Sequence, residues 1–190
     1  MIKCSDLQSA NIADALGELF DFELFRAKDD ESWIKLAPSF PFTILAGQAS
    51  GGVFLAYGNL ELEKRPILFV SSEGQAGKIA NNLPECLALL MAIPYWFDLL
   101  KFSGNGDLSE MRRTAVFMES EYYEDYPELP EARKLIQSQL KIPTIADPIA
   151  TLHACVNSTD CTVIADDGWK YETLFNLFVS SDNKSWSQKT

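Results

Sequence analysis

The 190-residue chain has little histidine, little cysteine and few bases, and each shortage narrows its chemistry. Catalysis by Ser, Cys or a metal usually needs an imidazole as base or ligand, and His153 is the single histidine. Cys4, Cys86, Cys155 and Cys161 are scattered with no C-x-x-C pair, which indicates neither a disulfide framework nor a four-cysteine zinc site. Sixteen bases face 27 acids, for a formal net charge of −11. That balance argues against direct nucleic-acid binding, which wants a positive stripe to displace counterions from phosphates. Long apolar runs are missing too. The longest, Cys86 to Phe97, is interrupted by Pro94, well below the ~20 residues that span a bilayer, so no membrane partner is expected. The opening MIKCSDLQSANIADALGELF is broken by Asp6, Asp14 and Glu18 and does not read as a secretory signal. A reducing, cytoplasmic location is the expectation.

What the chain does have is a 47% hydrophobic and 12% aromatic composition, enough to build a core. One domain over 1–190 is expected: a core at about 5–106, a helical extension with late strands at about 107–180, and a frayed polar tail at 181–190. Ile12, Ala15, Leu16, Leu19 and Phe20 share one helical face, which predicts a helix from Ser5 to about Phe20. Pro38 and Pro41 break helices, and strands are predicted at Phe42–Leu45, Gly52–Tyr57 and Pro66–Ser71. The last two are apolar on consecutive positions, so both faces of their sheet should be covered. Asn82-Leu83-Pro84-Glu85 has the chemistry of a helix start, with Asn82 as cap and Glu85 reaching back. Asp107, Pro130 and Asp147-Pro148 start three further helices, the last burying Ile149, Leu152, Cys155 and Val156. Extended segments are predicted around the Asp166-Asp167-Gly168 turn. Strands and helices do not alternate, so the class is α+β, a small mixed or antiparallel sheet packed with helices.

Several stretches bear on chemistry. LAGQASGGVFLAYG places Gly47, Gly51 and Gly52 before an apolar run; the spacing fits no phosphate loop, and a hairpin turn or a ligand contact are the two readings. His153-x-Cys155 then Cys161 resembles no common zinc spacing, and residues 153 and 155 lie about 200° apart around a helix. Neither metal nor cofactor is expected. Asp29-Asp30-Glu31 reads as a solvated cap, and Asp166-Asp167 as turn chemistry rather than an acid/base pair. In SSEGQAG, residues Ser71, Ser72 and Gly74 could present N–H groups to an anion, making Ser72, Glu73 and Gly74 a possible ligand loop. Tyr95-Trp96-Phe97 is either core or an aromatic binding patch. MESEYYEDYPELPE is the most suggestive: Glu119 to Glu131 holds six acids, three tyrosines and no base. Acids recruit a basic partner and tyrosines supply contact area, so Glu121, Tyr123, Glu124, Asp125, Tyr126 and Glu128 form a candidate partner-binding set. The plainer reading is a solvated helix end.

FPFTILAGQASGGVFLAYG and RPILFVSSEGQAGKIANNLPECLALLMAIPYWFDLL together resemble the SUKH superfamily, the immunity proteins and regulators related to the fungal SMI/KNR cell-wall regulator. The resemblance lies in the order of a strand, a glycine-bearing turn, a second strand, a third strand ending near Ser-Glu-Gly, and a Leu-rich helix. Here those positions are Phe42, Gly51, Gly52, Phe54, Pro66, Ser72, Glu73, Gly74 and Leu87 to Leu90. The chain has Gly51-Gly52 where many members have Gly-Asp, and Asp107 to Thr190 lie outside the pattern. The resemblance implies a SUKH-like fold and a non-enzymatic immunity protein that blocks a cognate toxin, with a basic nuclease as the partner that the acidity suits. An intracellular regulator or scaffold of the same fold is the alternative.

Overall fold

The computed structural model describes residues 2–28 and 32–187, without the side chains of Lys28 and Ser187. The acidic Asp29-Asp30-Glu31 stretch and residues 188–190 lie outside the described residues. The fold is α+β, with two small antiparallel sheets and helices gathered mainly on one side.

Strands β1 (Lys35–Ala37), β2 (Phe42–Gly47), β3 (Val53–Tyr57), β4 (Ile67–Val70), β5 (Ala76–Ala80) and β6 (Thr162–Ile164) form the sheets. The larger is an antiparallel meander, β2-β3-β4-β5, and the smaller is a two-stranded ribbon in which β1 pairs with β6. Side chains alternate between faces along each strand. Phe54 and Ala56 of β3, with Ile67 and Phe69 of β4, point to the helices; Val53, Leu55, Tyr57, Leu68 and Val70 point the other way, under the ribbon. The predicted double burial therefore holds. The second cover is a ribbon contributed by two distant parts of the chain, with Ile34, Leu36 and Val163 facing the sheet.

Two strands escaped the sequence reading. Strand β1 is three residues long and ends beside Pro38, while β5 carries Gly77 and Lys78, so neither shows a β-type run. Tertiary partners hold β5 in place: the Lys78 amide donates to Thr159 Oγ1 at 2.9 Å and the Ala76 amide to the Glu172 carbonyl at 2.8 Å. An edge strand otherwise open to pairing is thereby closed.

The helices are α1 (Ala10–Phe20), α2 (Leu83–Ala92), α3 (Trp96–Lys101), α4 (Leu108–Asp125), α5 (Leu129–Gln139), α6 (Pro148–Asn157) and the short α7 (Lys184–Ser187). The predicted first helix starts later than expected, because Cys4–Gln8 takes the tighter 3₁₀ form before the chain resets at Ser9. Asn82 caps α2 by accepting from the Glu85 amide at 2.9 Å, and Glu85 reaches back to the Asn81 amide at 3.1 Å, one residue beyond the position a capping box would use. Asp107 and Asp147 cap α4 and α6.

The residues read as an extension share the core of the first part. Met111, Leu129, Ile136, Leu152 and Trp186 belong to one apolar cluster with Phe20, Phe54 and Leu87. The described part of the tail, 181–187, is also not frayed. Trp186 is buried, its ring stacks on Phe117 with centroids 5.5 Å apart, and its Nε1 donates to Glu121 at 2.8 Å. Polar, Ser-rich neighbours hid the one residue that matters there.

Candidate functional site

The glycine-rich turn is the hairpin between β2 and β3. Gly51 sits at φ 93°, which β-carbon-bearing residues rarely adopt. A β-carbon on Gly52 would fall 2.5 Å from the Phe69 ring. Each glycine thus has a structural reason of its own, and the hairpin reading holds.

SSEGQAG is the turn between β4 and β5, and it closes on itself. Ser71 Oγ accepts from the Glu73 and Gln75 amides at 3.2 and 3.0 Å, and the Ser71 amide donates to the Gln75 carbonyl at 2.8 Å. Ser72 Oγ donates to the Ser50 carbonyl at 2.9 Å, and the Gly74 carbonyl accepts from the Glu172 amide at 2.8 Å. Of the expected anion donors Ser71, Ser72 and Gly74, the Ser71 amide is spent within the turn, as are the neighbouring Glu73 and Gln75 amides.

The thiols and the imidazole have separate polar partners. His153 Nε2 donates to the Gly106 carbonyl at 2.9 Å, and its ring lies 5.5 Å from Phe175. Burial, then Glu85, pushes the Cys155 thiol up to about 11; burial, then Asp160, does the same to Cys161. Both remain thiols at neutral pH, a form that is a poor nucleophile. Among the described residues no group of three or more His, Cys, Asp or Glu is placed to hold a metal. One long-range polar pair was invisible in the sequence: Tyr57 Oη donates to Asp160 Oδ1 at 2.5 Å across 103 positions.

The acidic tyrosine segment divides. It forms the last turns of α4 and the turn into α5, and helical spacing sends its residues in three directions. Glu124, Asp125 and Glu128 are exposed, and none of the ion pairs among the described residues uses them. Glu121 is turned toward the C-terminal segment, where it accepts from Trp186. Tyr123, 37% exposed, carries the Arg133 guanidinium over its ring at 5.4 Å and accepts a hydrogen bond from it. Folding therefore supplies the base that the segment lacks. Tyr126 faces inward with Tyr122, ring centroids 4.5 Å apart.

These two tyrosines wall an open cleft of about 550 Å³ that also takes Tyr95 and Phe97 from the α2–α3 corner, and Gln48, Ala49 and Ser50 from the first hairpin. Its acids are Glu18, Asp21, Glu23 and Asp98, and among the described residues no Lys, Arg or His lines it. Asp21 is the left-handed C-cap of α1, at φ 50°, and accepts from the Ala49 amide at 2.8 Å. Desolvation, partly opposed by the Ala49 hydrogen bond, raises the Asp21 pKa; desolvation, opposed by Lys101, raises that of Asp98. Tyr122 Oη donates to the Leu19 carbonyl at 3.0 Å and so fixes α4 against the end of α1. Sequence reasoning found Tyr126 but missed Glu18, Asp21 and Asp98, which stand far away along the chain. The Tyr95-Trp96-Phe97 patch is mostly core, since Tyr95 and Trp96 are buried.

No family model, curated protein or solved structure matches this chain.

Proposed function

We propose that the protein is a non-enzymatic binding module that neutralises a cognate basic toxin, such as a nuclease, in the manner of the SUKH immunity proteins it resembles. The observation that carries this reading is the exposed acidic corner between α4 and α5, where Glu124, Asp125 and Glu128 stand outside the described ion pairs on a chain of net charge −11. Opposite fields speed encounter and suppress wrong partners, and such a corner offers its charges to an incoming basic surface. Occlusion of the toxin's active site asks only for a tight surface and requires no chemistry from the protein.

Co-expression with a toxin-like product encoded beside the gene tests the reading. Restored growth and co-purification are expected, with association slowed and its salt dependence flattened by Glu124→Lys, Asp125→Lys and Glu128→Lys together. If no toxin-like neighbour exists and affinity capture returns only chaperones, the reading fails. Several weak partners in place of one tight one would favour the regulator or scaffold.

A further inference from the structure

The cleft beside the acidic corner has a polarity that its carboxylates alone do not explain. Three helix C-termini converge on it. Glu18 and Asp21 close α1, Pro94 follows the end of α2, and Tyr122 and Tyr126 occupy the last turn and cap of α4. A helix C-terminus carries partial negative charge, normally offset by a base in its last turn. None of these three helices has a base there. The start of the six-residue α3, Tyr95 to Asp98, also lines the cleft, and its partial positive charge is met by Asp98 in its own first turn. The three negative ends, the remaining carboxylates and the aromatic rings together favour a cation. Its chemical class follows from the walls. Tyr122 and Tyr126 lie against each other, so only the sides of the pair turned to the cleft are offered; a guanidinium stacks on such a side while its forked donors reach several acceptors. Past Gly17, Glu18 and Glu23 the cleft runs on into a second hollow of about 390 Å³ that ends at Phe25, which is 72% exposed. Two hollows that share Gly17, Glu18 and Glu23 offer room beyond a lone ion, which suits a side chain carried on a segment of chain.

We infer that this cleft seats an arginine side chain carried on a basic segment of a partner protein, with the guanidinium against Tyr122 and Tyr126 and with Glu18, Asp21 and Asp98 as its counter-charges. The inference rests on the reading of a basic protein partner and moves the energetic centre of that contact from the exposed corner to the cleft. Buried aromatic and Arg contacts dominate binding energy, while rim charges act on encounter. Arrival of the cation also relieves Asp21 and Asp98, which pay for desolvation without a full counter-charge. Glu23 contributes less, because Arg26 already pairs with it, as Lys101 partly does with Asp98.

The test uses the whole protein and a capped Gly-Arg-Gly peptide, followed by amide chemical shifts, with the citrulline peptide as a neutral isostere. Saturable shifts are expected at Gly17, Ala49, Tyr122 and Tyr126, with the citrulline peptide about tenfold weaker or more. Glu18→Gln with Asp98→Asn should weaken the Arg peptide about tenfold, and Glu124→Gln with Asp125→Gln should leave it unchanged. Equal binding of the citrulline peptide, or shifts spread along the α4–α5 corner, would overturn the inference. So would spermidine binding more tightly than the peptide, which would make the cleft a small-cation site. The peptide comparison on the unaltered protein decides the matter even if a variant fails to fold. Because the titration needs no toxin, its failure leaves the toxin-binding reading intact on the corner. Cleft binding without any co-purifying neighbour would instead keep the cleft and remove the toxin.

Discussion

The two faces of the four-stranded sheet are equally dry and differently built. On the helical face Phe69 meets Trp96 edge-on at 4.9 Å and lies 5.0 Å from Phe54, which in turn lies 4.9 Å from Phe22. On the ribbon face the contacts are aliphatic, Ile44, Val53, Leu55, Leu68 and Val70 under Leu36 and Val163, with Tyr57 as the aromatic exception among the fully buried residues. Strand periodicity reports that both faces are buried and is silent about the cover. Interlocking rings in a wide helical layer leave little room to repack, whereas a two-stranded ribbon is tied to the sheet by fewer contacts and is expected to open first. Burial alone therefore does not rank the two faces.

Truncation on each face breaks the comparison most directly. Phe69→Ala is expected to cost about 3–5 kcal/mol, as a large ring leaves a cavity that its aromatic neighbours cannot fill. Leu55→Ala, equally buried, should cost about 3 kcal/mol or less, because the ribbon can settle onto the gap. Urea midpoints rank the two, and hydrogen exchange at Leu36 and Val163 should rise selectively in the Leu55 variant. A larger loss for Leu55→Ala would show that the ribbon, not the helical layer, governs stability.

A smaller effect sharpens the same contrast through pH. Desolvation, helped by the hydrogen bond to Asp160, raises the Tyr57 pKa on the ribbon face. Desolvation pushes Tyr95 and Tyr122 up to about 12 on the helical side. In the unfolded chain these phenols ionise near pH 10. Below that pH both states are protonated and the contribution is fully present. Above it the unfolded chain loses protons that the folded chain keeps, so stability falls as pH rises toward the folded values. The urea midpoint should hold to about pH 10 and drop by pH 11. Tyr57→Phe should cost about 1–2 kcal/mol at pH 8 by unpairing Asp160, and should make the alkaline drop shallower.

The smallest effects belong to the acidic tyrosine segment. Glu124→Lys, Asp125→Lys and Glu128→Lys should each shift stability by less than about 0.5 kcal/mol. Glu121→Lys should cost more, about 1 kcal/mol, because Trp186 Nε1 loses its acceptor. Thermal melting of the four single variants checks this division, and four equal results would return Glu121 to the solvated edge.

Local chemistry was legible in the sequence where it acts over a few residues. The caps at Asn82, Asp107 and Asp147, the glycine hairpin and three strands of the meander were read correctly, because each depends on neighbours along the chain. What failed depends on partners far away. Strand β5 is a strand because residues 159 and 172 satisfy its outer edge, and Trp186 is ordered because Phe117 and Glu121 receive it. The candidate site shows the same limit. Its tyrosines stood out as a cluster, but the carboxylates that give the cleft its charge come from the ends of other elements.

The pairing of Lys35 with Ile164 has a consequence for how the protein comes into being. A ribosome delivers β2 to β5 and every helix through α6 before the ribbon's second strand leaves the exit tunnel. Until then Leu55, Leu68 and Val70 present an uncovered greasy surface on a sheet whose β5 edge still waits for Glu172. The unfinished chain offers that surface to chaperones or to another copy of itself, and its exposure ends when residues 162–164 emerge. Synonymous changes that slow translation just upstream of β6 should therefore lengthen the aggregation-prone interval without altering a single side chain.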